Sequence, residues 1–196
     1  MNILVEKLPE AIEIDGREYE INSDFRSCLR IILAFEDPEL AGTEKQAVMI
    51  NNLYKEHPEN ITAAIEKGVR FLNGGQVSKE ESDLRLYSFE KDAPYIFAAF
   101  KQTHGIDLDT IDMHWWKFMS LFMDLGSETT FSGMVGLRKR VLTGKASKEE
   151  RKAYAEMRDV MELPAVDNRT LEEREAEEEF MRKYRQGRQK CKQTAL

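Results

Sequence analysis

Both tryptophans of the chain lie in one stretch, residues 112–125, which is apolar on almost every side when it is wound as an α-helix. Trp115, Phe118 and Phe122 share one face of this helix, while Trp116 covers part of the remainder. A helix that is apolar nearly all round is normally buried in a bundle or held by a partner. The sequence therefore predicts a fold organised around this central helix.

Other helices are indicated by apolar residues at helical spacing between polar caps and proline or glycine stops. The predicted helices span residues 25–37, 44–57, 60–72, 93–104, 112–125, 127–143, 147–163 and 170–186. Asp109, Thr110 or Asp112 is predicted to cap the start of the central helix. Glycine inside a helix costs about 1 kcal/mol relative to alanine, so Gly133 and Gly136 are expected to admit the close approach of a Trp ring.

A β-hairpin is predicted over Ala11–Ile21, where apolar and acidic residues alternate on both sides of a two-residue turn at Asp15–Gly16. Pairing across this turn places Ile12 opposite Tyr19, so the apolar side chains share one face. Because an isolated two-stranded hairpin is marginally stable in water, we expect that face to lie on the helices or to receive a further strand. Residues 84–89 also alternate but follow a capping-box spacing, so a short helix and a strand both fit them.

These elements predict a mainly α protein, a multi-helix bundle around a central Trp-Trp helix with a small N-terminal β-hairpin and a charged C-terminal helical tail. A globular domain is expected over residues 1–143, with the hairpin at about 10–22. Residues 144–196 are expected to form the tail, partly mobile and ordered by a partner or by another copy. Six of residues 172–179 are glutamates and six of residues 182–192 are basic, which suits the dipole of one helix.

The residue chemistry does not favour an enzyme. The sequence lacks a phosphate-binding loop and a serine nucleophile motif, and Cys28 lies at an apolar helical position. With only Cys28 and Cys191, neither a disulfide framework nor a cysteine metal site is indicated, and we expect no cofactor. The net charge of −7 argues against a general nucleic-acid binder, and no apolar run is long enough to span a membrane. A non-enzymatic protein of a reducing cytoplasm is predicted.

Two groups of residues are singled out. The predicted structural core comprises Trp115, Trp116, Phe118, Phe122, Tyr95, Phe97 and Phe100. Residues 138–152 include seven basic residues against Glu149 and Glu150, a pattern typical of solvated charges or of an electrostatic dock for an acidic surface. The predicted partner-contact residues are Arg138, Lys139, Arg140, Lys145, Phe180 and Tyr184. This second group rests on charge and expected exposure.

Several short motifs of the chain occur together in one known family. They are Asp24-Phe25-Arg26, Phe71-Leu72-Asn73-Gly74-Gly75, the run from Tyr87-Ser88-Phe89 to Ala99-Phe100, Gly105-Ile106-Asp107-Leu108 and His114-Trp115-Trp116-Lys117-Phe118. Through these motifs the chain resembles the bacteriophage gene-product-fifteen family, which is found in tailed phages and prophages of Gram-positive bacteria. The resemblance runs from the hairpin to the acidic tail and brings no catalytic residues with it.

This resemblance implies a virion-morphogenesis protein of siphophage type, encoded in the tail module beside the tape-measure gene. It favours a tail-assembly chaperone of the host cytoplasm that binds the tape-measure protein and other tail-assembly proteins, with a homo-oligomer as a further expectation. Binding is expected through exposed apolar grooves. The alternatives are a structural component retained in the phage tail and a small nucleic-acid-binding phage regulator that uses residues 138–152.

Overall fold

The chain folds into a bundle of helices with a short antiparallel hairpin near its start, in a computed structural model that describes residues 2–75 and 84–164. In chain order the elements are β1 (Ala11–Ile14), β2 (Arg17–Glu20), α1 (Phe25–Glu36), α2 (Gly42–Leu53), α3 (Ile61–Leu72), α4 (Ala93–His104), α5 (Trp115–Met123), α6 (Thr130–Leu142), α7 (Lys148–Glu156) and α8 (Arg158–Met161). This order confirms the predicted mainly α fold with its N-terminal hairpin, whereas the predicted tail helix at residues 170–186 lies outside the described residues. None of the helices in these two ranges has the length and hydropathy needed to cross a membrane.

β1 and β2 pair in the predicted register, with Ile12 opposite Tyr19. Both residues of the Asp15–Gly16 turn have a positive φ, the conformation that a tight hairpin turn requires. A bridge between Ile21 and Tyr54 continues the hairpin beyond β2, and β1 packs on α3. The helices therefore cover the apolar face of the hairpin, as the sequence predicts.

Polar residues satisfy the free backbone N–H groups at several helix starts. The Asp24 carboxylate accepts from the backbone N–H of Arg26 at 2.9 Å and begins α1. At α7, Ser147 and Glu150 form the capping box that their spacing predicts. These local interactions explain why the predicted starts of α1 and α7 agree with the structure.

Residues 84–88 form neither a helix nor a strand. The Tyr87 ring meets Phe122 of α5 edge-on at 5.1 Å between centroids, and Ser88 is buried. α4 then follows Asp92, whose carboxylate accepts from the Ser88 N–H at 3.1 Å instead of capping α4. The alternation of apolar and polar residues at 84–89 therefore reflects side chains such as Tyr87 and Phe89 that pack on the core, and not a strand or a helix.

Phe118 of α5 lies at the centre of an aromatic cluster. Its ring stacks on Phe25 and on Phe100, with 5.0 Å between centroids in both pairs, and lies 5.6 Å from Trp115. Each such pair contributes about 0.5–1.5 kcal/mol beyond the burial of its area. Five of the predicted core residues are buried in the bundle: Trp115, Trp116, Phe118, Phe122 and Phe100.

The other two predicted core residues, both on α4, are not fully buried. Tyr95 is half-buried against the core, and Phe97 is 44% exposed, so the assignment of Phe97 to the core is wrong. The buried face of α4 consists of Ile96, Ala99 and Phe100. Because successive residues are about 100° apart around a helix, Phe97 points away from that face.

Arg138 of α6 is buried where α6 meets α4 and α8, with only 1% of its surface exposed. Its guanidinium donates two hydrogen bonds to the buried carboxylate of Asp92, at 2.6 and 2.9 Å. The remaining N–H groups donate to the carbonyl oxygens of Leu86, Val160 and Met161 at 3.2, 3.0 and 2.7 Å. All five donors of this guanidinium are therefore satisfied.

Basic side chains also hold the end of the described chain, Val160–Pro164, which we call the strap. In addition to the bonds from Arg138, the Lys91 ammonium donates to the carbonyl oxygen of Glu162 in the strap. The Arg85 guanidinium donates to the carbonyl oxygen of Pro164 at 2.9 Å. Since α7 also packs on α6, contacts with the body continue past the predicted domain boundary at residue 143.

Cys28 is fully buried in α1, and we expect its thiol to be unreactive while the protein is folded. Burial, with a smaller effect from Asp24, raises the pKa of the Cys28 thiol from 9.0 to about 12, so the reactive thiolate is scarce at about pH 8. In a Cys191→Ser variant, an aromatic disulfide reagent should therefore release colour only after denaturant is added. Rapid release from the folded variant would contradict this expectation.

The same burial predicts a loss of stability in alkali. The folded-state pKa lies above the unfolded value, so this contribution is present below pH 9.0 and is lost as the pH rises toward 12. The midpoint of urea unfolding should fall over that range, and should fall less in a Cys28→Ala variant.

Candidate partner-binding groove

α3 ends in a glycine turn. The chain reverses over Asn73–Gly75, and both glycines have a positive φ, 70° at Gly74 and 79° at Gly75. The backbone N–H of Gly75 donates to the carbonyl oxygen of Arg70 at 2.9 Å. This bond satisfies one of the four carbonyl groups that a helix end leaves without a partner inside the helix.

The two indoles of α5 donate to the last two carbonyl oxygens of α3. The Nε1–H of Trp115 donates to Leu72 at 2.8 Å, and the Nε1–H of Trp116 donates to Phe71 at 2.7 Å. The Trp116 and Phe71 rings also stack, with 5.7 Å between centroids. Because a buried indole needs an acceptor and a helix end needs donors, the two elements satisfy each other. α5 is thereby fixed to the end of α3.

The N-cap of α5 is His114, and none of the three predicted capping residues takes this position. Its Nδ1 accepts from the backbone N–H of Trp116 at 3.0 Å, and its Nε2 lies 3.0 Å from the carbonyl oxygen of Pro9. These partners assign the hydrogen to Nε2, which donates to Pro9. The ring also meets Phe71 edge-on at 5.9 Å, so the start of α5 is fixed on three sides.

An open groove of about 860 Å³ lies beside the junction of α3 and α5. Its walls are the N-terminal segment, the glycine turn after α3 and one side of α5. The described lining residues are Asn2, Ile3, Leu72, Asn73, Gly74, Gly75, Trp116, Met119, Ser120 and Met123. None of these residues is ionisable, so the described lining offers no general acid or base. The groove is suited to take up apolar side chains.

The rim of the groove exposes apolar side chains to solvent. Of the lining residues, Met123 is 78% exposed and Ile3 is 51% exposed. Clusters of exposed apolar side chains mark interaction sites, and methionine adapts to partners of different shape. Within residues 2–75 and 84–164, no group of acidic, histidine and cysteine side chains is placed to hold a metal ion.

The predicted contact residues have different positions in the structure. Arg138 is buried with all its donors engaged, so the prediction that it contacts a partner is wrong. Three of the others, Lys139, Arg140 and Lys145, are exposed at or just after the end of α6. The remaining two, Phe180 and Tyr184, lie outside the described residues.

The predicted close approach of a Trp ring occurs at a different glycine. A Cβ atom at Gly133 would meet nothing within 4 Å, and one at Gly136 would meet only the Arg140 side chain. That prediction is therefore wrong. At Gly75, by contrast, a Cβ atom would lie 3.0 Å from Cη2 of Trp116. The helical glycines could not reveal this contact, because it joins a turn to a side chain far along the chain.

The sequence predicts binding through exposed apolar grooves but does not locate this groove, whose lining includes Met119 and Met123 of the central helix. The signal was present in the central helix, whose apolar residues cover nearly every side. Nine residues of that stretch are helical, and Met123 ends α5 on the exposed side. The bundle therefore buries most of the apolar surface of α5 but leaves Met123, at its end, exposed.

We expect Gly75→Ala to destabilise the protein more than Gly74→Ala. Both variants force alanine into a left-handed backbone conformation, which costs about 1–2 kcal/mol. Only Gly75→Ala also pushes a methyl group against the Trp116 ring, and such overpacking costs about 1–3 kcal/mol more. Urea unfolding followed by tryptophan fluorescence measures both, with Gly74→Ala as the matched control. Equal losses would show that the ring contact carries no cost.

Comparison with known proteins places most of the described chain in one family. Residues 4–163 match a family model described as "Bacteriophage Gp15 protein". This range includes the hairpin, all eight described helices and both walls of the groove formed by α3 and α5. Neither the curated proteins nor the solved structures gave a match.

Proposed function

Because this chain belongs to the bacteriophage Gp15 protein family, we propose that it is a tail-assembly chaperone of the infected or induced host cytoplasm. In this role it binds apolar helical segments of the tape-measure protein while tail-tube subunits assemble around that protein. The observation that supports the proposal is the uncharged groove beside Trp116, with its exposed apolar rim.

The side of α5 that lines the groove indicates how a partner would be held. Trp116, Met119 and Met123 recur at helical spacing, so they form an apolar stripe along one wall. A partner helix would place its own apolar residues, spaced by three, four and seven positions, against this stripe. Two methionines in the stripe suit a partner with many different apolar segments, because their side chains repack readily.

Co-expression with the tape-measure protein of the same phage tests the proposal. The tape-measure protein should stay soluble and co-purify with this chain, and it should aggregate when expressed alone. Mass spectrometry of purified virions separates the proposal from its alternative, because a structural tail component would be present in stoichiometric amounts. Absence of co-purification, without any change in solubility, would overturn the chaperone role.

A single charge in the groove should strongly weaken binding. We expect Met123→Glu to lower the amount of co-purified tape-measure protein by about tenfold or more, because a carboxylate would lose its water in an uncharged groove. The fold should be unaffected, since this side chain is 78% exposed. Met157→Glu, at a 44% exposed position outside the groove lining, is the matched control. Equal retention by the two variants would place binding at another surface.

A further inference from the structure

Exposed cations surround the connection between α6 and α7. We call them the basic corner: Lys139, Arg140, Lys145, Lys148, Arg151 and Lys152. The connection is compact, because the Arg151 guanidinium donates to the carbonyl oxygens of Ala146 and Gly144, both at 3.0 Å. Lys148, Arg151 and Lys152 also stand at helical spacing on one side of α7. The six cations therefore lie at the end of α6, on the connection and in α7.

The described carboxylates balance only part of this charge. Arg140 pairs with Glu150 at 2.8 Å, and Lys152 lies 3.7 Å from Glu156. In the part of the chain that the structure describes, the other four cations of the corner make no ion pair. An acidic segment could therefore pair with these four cations without breaking an existing ion pair.

We propose that the acidic run at residues 172–179 of the same chain binds the basic corner. This run holds six glutamates against the single base Arg174, so its charge is opposite to that of the corner. Several such pairs act together where isolated surface pairs would contribute little. The proposal rests on charge and chain geometry and does not depend on the chaperone role.

The point where the described chain ends brings the acidic run within reach. The strap, which includes the last two residues of α8, is held by Arg138, Lys91 and Arg85 and ends at Pro164. The eight residues from there to Glu172 span at most about 26–29 Å when fully extended. α8 is only about 6 Å long and α7 about 14 Å, so the chain can return along α7 to the corner.

The acidic run is a better occupant than the acidic hairpin of a second copy. The hairpin charges are partly neutralised already, since Glu20 pairs with Lys55 at 3.0 Å. A tethered segment also binds at an effective concentration of about millimolar, which a separate molecule does not reach in dilute solution. A nucleic acid would have to approach a chain with a net charge of −7.

Carbodiimide cross-linking of the full-length protein tests the proposal, because it joins carboxylates to lysines only where they touch. At about 0.1 M NaCl, glutamates of residues 172–179 should couple to Lys139, Lys145 or Lys148 at least about fivefold more than to Lys117, an exposed lysine of α5. In a mixture of ¹⁴N and ¹⁵N protein the cross-links should join segments of the same label. At about 1 M NaCl, where charges are screened within about 3 Å, they should disappear.

Small-angle scattering gives a second readout that needs no coupling chemistry. The wild-type radius of gyration should increase between low and high salt, and the variant K139Q/K145Q/K148Q should already be expanded at low salt. The variant K7Q/R30Q/K117Q removes the same number of exposed charges elsewhere and should behave as the wild type. Mixed-label cross-links, equal coupling to Lys117 or a salt-independent radius in the wild type would overturn the proposal. Coupling from the hairpin carboxylates instead would assign the corner to a second copy.

Discussion

Trp115→Ala should remove a large part of the stability of the folded protein. Trp115 is 1% exposed, stacks on Phe118 and donates its indole N–H to the carbonyl oxygen of Leu72 at 2.8 Å. Removing such a side chain costs about 3–5 kcal/mol, against a total of about 5–15 kcal/mol for a typical domain. The variant also leaves a helix carbonyl without its donor. Urea unfolding followed by far-ultraviolet circular dichroism measures the loss.

A smaller change at the same position separates the hydrogen bond from the packing. Trp115→Phe keeps an aromatic ring but loses the donor, so we expect a loss of about 1–3 kcal/mol from the unpaired carbonyl, in addition to the loss of ring volume. Met123→Ala, on the same helix and 78% exposed, is the control and should change stability by no more than about 0.5 kcal/mol. If Trp115→Ala were no more destabilising than Met123→Ala, α5 could not be the centre of the fold.

Arg138→Met should be the most destabilising single charge removal in the described chain, at about 3–5 kcal/mol, because it leaves the buried Asp92 carboxylate without its cation. The carbonyl oxygens of Val160 and Met161 lose their donors in the same variant. We therefore expect the strap to detach as well. Urea unfolding gives the stability, and limited proteolysis after residue 157 reports the detachment of the strap.

The double variant R138M/D92N tests whether the unpaired charge is the cause. Asparagine has nearly the shape of aspartate but no charge, so the double variant should be less destabilised than the sum of its two single variants. Arg140→Met removes an exposed arginine from the same helix and should have little effect, since its partner Glu150 is also accessible to solvent. Equal losses in Arg138→Met and Arg140→Met would contradict a structural role for the buried pair.

Local sequence patterns were sufficient to predict most of the helices and the hairpin. The register of Ile12 with Tyr19 follows from the two-residue turn and the alternation around it, both of which lie within ten residues. The capping box of Ser147 and Glu150 likewise depends only on neighbours in the chain. The family resemblance, confirmed by the match over residues 4–163, rests on such short motifs too.

Contacts between distant residues were not predictable in the same way. Arg138 and Asp92 are 46 positions apart, and each has a more ordinary interpretation alone, as a solvated base and as a helix cap. The indoles reach carbonyl oxygens 43 and 45 positions earlier in the chain. The groove depends on this second pair of contacts, because they place the glycine turn against Trp116. Nothing in the periodicity of a single helix specifies which backbone carbonyl a side chain will meet.

Because the strap is made after the rest of the described chain, the folding of that chain depends on the order of its synthesis. Arg138 leaves the ribosome before Val160 and Met161, and two of its five donors have no acceptor until those residues have been made. At about 5–20 residues per second this interval lasts about 1–5 s. A nascent chain that stops short of Val160 would bury a guanidinium with incomplete hydrogen bonding. The helical body should therefore reach its full stability only when translation has passed the end of α8.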